Sequence, residues 1–135
     1  MTQEEKELLL KDLGARLQYK LHCRVFKLNE DIKEDDDILY GIIGNIVITL
    51  KSDKDECLMY YQIKPYLRPM SSMTEEERDE YTDIKKGECY GCVLTGKGDP
   101  NTEFLLVDWL NAHHFDYRGL IEKGLALEAP EDMYK

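Results

Sequence analysis

Ile38-Leu39-Tyr40-Gly41-Ile42-Ile43-Gly44-Asn45-Ile46-Val47-Ile48-Thr49-Leu50-Lys51 is the stretch that decides the fold. Ile38 to Ile43 and Ile46 to Lys51 are rich in β-branched residues. The Gly44-Asn45 pair between them has the length and composition of a tight hairpin turn. More strand-like segments flank this pair. Leu21 to Leu28 precedes it, with Leu21, Cys23 and Val25 expected on one face; Cys57 to Ile63, with Met59, Tyr60 and Tyr61, follows the polar turn Ser52-Asp53-Lys54-Asp55. Asn29 to Asp37 is too acidic for a core strand and is expected to be a solvated loop. Short strands joined by one long and two tight loops predict an antiparallel meander over residues 20–64 that curls into a small β-barrel. Its outline is Src-homology-like or Sm-like, an analogy of fold that carries no function.

Helices are expected to flank this barrel, giving an α+β fold in one domain, residues 1–135. Thr2-Gln3-Glu4-Glu5 has the form of a capping box and opens a helix over residues 1–14, with Leu8, Leu9, Leu10 and Leu13 as its apolar stripe. Gly14 is placed to end it. Lys64-Pro65-Tyr66-Leu67-Arg68-Pro69 reads as a rigid connector that presents Tyr66 and Arg68. Thr74-Glu75-Glu76-Glu77 is a second capping box, opening a helix over 74–87 whose narrow apolar face is Tyr81 and Ile84. In residues 88–135, Glu88 to Thr95 and Phe104 to Val107 are expected to pair as a hairpin. Asp108 is expected to cap a short helix, and a C-terminal clasp closes the domain, with Glu131 to Lys135 as a loose tail.

Composition narrows the function classes. A net charge of −10 repels phosphates, which disfavours general nucleic-acid binding. No apolar run approaches the ~20 residues of a membrane span, and the acidic N-terminus lacks the pattern of a signal peptide. A cytoplasmic protein with reduced thiols is the expectation. The acidic loop (Glu30, Asp31, Asp35, Asp36, Asp37) lacks the ligand alternation of a calcium loop, and Gly96-Lys97-Gly98 lacks the spacing of a phosphate loop.

Two stretches carry candidate chemistry. Cys89 and Cys92 have the spacing of half a zinc site, which His113, His114, Cys23 or Cys57 would have to complete. Ordinary packing and a two-thiol redox pair are the competing readings, and β-like flanks disfavour the latter. The densest cluster lies in Asp108 to Ile121, which holds the only tryptophan and two of the three histidines. His113, His114, Asp116 and Arg118 are the residue types of a metal-dependent hydrolase or nuclease: a general base, an orienting or ligating carboxylate, and a cation for developing charge. Adjacent histidines point in different directions, however. Trp109, Leu110, Phe115, Leu120 and Ile121 also suit a buried clasp whose turn is held by Asp116, Tyr117 and Arg118.

Three blocks carry a family resemblance: Thr2 to Leu13, Lys64 to Glu77, and Asp108 to Pro130. They resemble a family of small proteins from gut Bacteroidales and their phages and mobile elements. No activity comes with that resemblance. It implies expression in a bacterial cytoplasm and an accessory role, such as interference with host defence. The expected function is therefore a non-catalytic interaction protein that binds a host protein or small ligand through Tyr66, Arg68, Tyr117 and Arg118. The hydrolase and the zinc-stabilised module stand as alternatives.

Overall fold

A computed structural model describes residues 2–26, 34–49, 58–85 and 102–134. The chain is α+β. Among the described residues three helices, α1 (Gln3–Arg16), α2 (Glu75–Lys85) and α3 (Thr102–Ala112), accompany six strands: β1 (His22–Phe26), β2 (Glu34–Ile43), β3 (Ile46–Thr49), β4 (Leu58–Met59), β5 (Ile63–Leu67) and β6 (Leu127–Glu128). The strands form one sheet in the order β4-β3-β2-β1-β5-β6, antiparallel except for the β5–β6 pair.

The β2–β3 hairpin forms at Gly44-Asn45, with Gly44 at φ +59°, where a side chain would be strained. A register shift between Leu39 and Gly41 bulges β2 and leaves Tyr40 exposed. The expected barrel is not shown. The sheet is open, with two-residue strands β4 and β6 at its edges, and neither is long enough to carry a closing ladder.

Several local expectations change. Glu34 to Asp37 belong to β2 rather than to a loop, because Arg24 of β1 lies opposite Asp36 and pairs with it. Alternation then puts Asp36 outside and Asp37 inside, so the two carboxylates splay apart rather than share a cation. Lys64-Pro65 is no connector but part of β5; β1 pairs with it on one side, and the β6 pairing on the other begins only at Tyr66, so the missing N–H of Pro65 interrupts no β6 rung. The predicted strand over Phe104 to Val107 is helical, and Asp108 lies inside α3 instead of capping it. Its expected partner, Glu88 to Thr95, lies outside the described residues.

Helix α1 has the predicted capping box, Thr2 Oγ1 accepting from the Glu5 N–H and Glu5 accepting from the Thr2 N–H. It runs through Gly14 to Arg16, and the left-handed residue that ends the following turn is Lys20. A glycine inside a helix costs about 1 kcal/mol relative to alanine, and the helix nonetheless continues past it to the buried Arg16, which pairs with Asp12 one turn earlier. Leu9 and Leu13 of α1 share a core cluster with Leu21, just before β1, and with Cys23 and Val25 of the sheet, as their spacing predicts. Leu120, Leu125 and Ala126 complete this core from the C-terminal clasp.

Candidate functional site

The clasp begins where α3 stops. The Phe115 N–H donates to Leu110 and the His114 N–H to Asn111, while His114 takes the left-handed conformation, φ 62°, that glycine usually supplies at a helix end. That turn lays the chain beside Arg68. The Arg68 N–H donates to His114 and the Asp116 N–H to Arg68, at 2.7 and 2.8 Å. Further on, β6 joins β5, and the Ala129 N–H donates to Leu67.

This geometry scatters the predicted cluster. Asp116 accepts the N–H groups of Leu120 (2.8 Å) and Ile121 (3.0 Å), so its carboxylate caps the 120–124 turn. The Tyr117 hydroxyl donates to Asn111 and accepts from Arg118 on the side facing α1. There Asp12 and Arg16 form a fully buried ion pair, 2.9 Å, which Arg118 approaches at 3.7 Å. Arg16 also donates to the Phe115 carbonyl, tying α1 to the clasp. Burial raises the Asp12 carboxyl above its ordinary value, against the pull of both arginines.

The two histidines diverge, as their adjacency predicts. His114 is buried and stacks on Tyr134 with ring centres 3.7 Å apart. Desolvation, aided by the nearby Arg16 charge, lowers its pKa to about 4. His113 instead lies tilted against Trp109, ring centres 4.3 Å apart, and turns its Nδ1 toward Glu77, 3.3 Å away. Tyr66 is also withdrawn: it is buried, its hydroxyl donates to Asp36 at 2.7 Å, and burial pushes its pKa up to about 12.

Arg68 and His113, of the predicted residues, line a cavity between α2 and the clasp. It is a groove of about 620 Å³. Arg68 donates to both Glu77 oxygens, at 2.7 and 2.8 Å, with its guanidinium 4.3 Å from the Phe115 ring centre. Glu77 is also the capping-box residue of α2, and the Arg68 hydrogen bonds hold its carboxyl at about 2. Glu76 joins this side, while Glu128, Ala129, Pro130, Glu131 and Tyr134 line the groove from the clasp. Sequence reasoning missed Glu77 as a site residue. Its signal was present, since Thr74-Glu75-Glu76-Glu77 was legible as a cap, but the Arg68 partner came from another element.

Tyr134 was also missed, in a segment expected to be loose. Its hydroxyl donates to the Tyr66 carbonyl (2.7 Å) and accepts the His22 N–H (3.1 Å), standing in for a ladder rung beyond the last paired residues of β1 and β5. Tyr134→Phe strands both backbone groups. An unsatisfied buried group costs about 1–3 kcal/mol, so a fall of that size in urea-measured stability is expected; an unchanged midpoint would remove Tyr134 from the account of the clasp.

Cys89 and Cys92, the candidate zinc pair, lie outside the described residues, as does Cys57. Cys23 is buried in the core, where desolvation pushes its thiol up to about 12, and it is no ready ligand. Among the described residues no three His, Cys, Asp or Glu side chains gather at metal-binding distances, and no helix is long and apolar enough to cross a membrane.

The fold and groove define an α+β domain whose open sheet is fastened by a C-terminal clasp. No family model, curated protein or solved structure matches the chain.

Proposed function

We propose that the chain is a non-catalytic interaction protein that meets its partner at the clasp groove. The observation that carries this reading is the state of the groove's floor. Arg68, Glu77 and Thr74 satisfy one another, and His113 is turned to the same carboxylate. Such a floor is a rigid, preorganised surface, which lowers the ordering cost of association. It offers no base poised beside a nucleophile. The hydrolase reading draws no support from the geometry, because Asp116 is committed to a backbone cap and His114 to a ring stack. The resemblance of the three blocks to a Bacteroidales and phage family supplies the context: an accessory protein acting on a host protein in a bacterial cytoplasm.

Capture from Bacteroidales lysate with the intact chain and with Ala129→Trp tests this. Ala129 lines the groove and its backbone N–H holds β5, so the larger side chain adds bulk at the groove while the backbone keeps its hydrogen bond. A partner retained by the parent and lost by Ala129→Trp, at unchanged melting temperature, is the expected result. Equal retention by both chains moves the interface elsewhere, and a clean monomer with no partner counts against the interaction reading.

A further inference from the structure

We infer that the segment entering this groove is basic, with an arginine or lysine side chain directed at the Glu76 and Glu128 carboxylates. The inference rests on the groove being the partner surface, and it adds the chemistry of what is bound. Four glutamates line the groove, Glu76, Glu77, Glu128 and Glu131, against one guanidinium. That guanidinium, Arg68, is already spent on both oxygens of Glu77. An anionic ligand, whether phosphate or carboxylate, would therefore meet no uncommitted arginine or lysine on the lining. Glu76 and Glu128 are exposed and come from two different elements, the first turn of α2 and the edge strand β6. No ion pair engages either of them among the described residues.

The remaining lining suits the stem of such a side chain. Pro69, Ala129, Pro130 and the Tyr134 ring offer apolar surface to three or four methylenes, while the charged end stays at the wet, acidic rim. At about 620 Å³ the groove falls within the range of clefts that hold drug-sized ligands, so it has room for a short peptide segment rather than a bare ion. The chain's net charge of −10 adds long-range attraction for a basic partner, which speeds encounter and weakens with salt.

The test uses the full chain and two fluorescently labelled hexapeptides, one bearing two arginines and a proline, the other with glutamine in place of each arginine. Titrations are run at low and high salt. Saturable binding of the arginine peptide is expected, with affinity falling about tenfold or more for the glutamine peptide and falling likewise on the Glu76→Gln/Glu128→Gln variant. Both substituted positions are exposed, so the variant keeps its melting temperature. Equal affinity for the two peptides overturns the basic-segment inference, as does binding of the arginine peptide that ignores the double variant or the absence of any saturable binding. The interaction reading is separated by the lysate partner: if capture is lost with Ala129→Trp but survives the double glutamine exchange, the groove stands as the interface and the basic-segment inference falls alone.

Discussion

Replacing Asp12 with alanine is expected to cost roughly 3–5 kcal/mol, the usual result of leaving a buried charge without its partner. Asp12 and Arg16 are both fully buried, and Arg118 stands 3.7 Å from the same carboxylate, so alanine would leave two guanidinium groups facing no counter-charge there. Against an ordinary domain stability of about 5–15 kcal/mol, that is a large fraction. Arg16 also holds the Phe115 carbonyl, and Phe115 is fully buried beneath the clasp, so the loss should loosen α1 and the clasp together. Urea unfolding of Asp12→Ala measures the cost. The paired exchange Asp12→Leu/Arg16→Met removes that ion pair at similar volume and should recover part of it, since Arg118 still lacks its counter-charge and the Phe115 carbonyl loses its donor. If the double variant is as unstable as the single, the damage comes from packing rather than from the stranded charge.

Stability should also fall as pH drops from about 6.5 to about 4, by roughly 3 kcal/mol. The titrating group is His114, whose pKa is lowered to about 4 in the folded chain. Between those values the unfolded chain takes up the proton and the folded chain refuses it, so acid favours unfolding. Above the unfolded pKa both states are neutral, and below about 4 both are charged, so the contribution is flat on either side. Glu77 acts in a lower window: its folded pKa, at about 2, is depressed, so its contribution is present above the ordinary carboxyl range and is lost as pH falls through it. His114→Asn separates the two. Asparagine tolerates the left-handed backbone at this position and carries no proton, so the loss between 6.5 and 4 should disappear while the lower one remains. A parent chain equally stable at pH 7 and pH 4.5 would contradict the buried, neutral state of His114.

Where the chain's chemistry is local, the residues announce it. Both capping boxes formed as spaced, since a Thr and a Glu three residues apart complete each other across one helical turn. The Gly44-Asn45 turn formed because few residues other than glycine accept its backbone. Phe104 to Val107 misled for an equally physical reason. The run is apolar on all sides, and Phe104, Leu105 and Val107 are exposed, so no periodicity separates helix from strand. The helix is settled by contacts with other elements, including Trp109 against Tyr81 of α2.

The candidate site divides along the same line. That His113 and His114 would diverge follows from adjacency alone, and the burial of Leu110, Phe115 and Leu120 follows from their apolar spacing. Nothing local joins Arg68 to Glu77, or His22 and Tyr66 to Tyr134. These pairs are separated by 9 to 112 positions in the chain. The sequence by itself determined the α+β class, the β2–β3 hairpin and the starts of α1 and α2, because those depend on neighbours within one turn. Only the tertiary structure decided the open sheet, the clasp and the groove, because each depends on which distant groups meet and spend their charges and hydrogen bonds on one another.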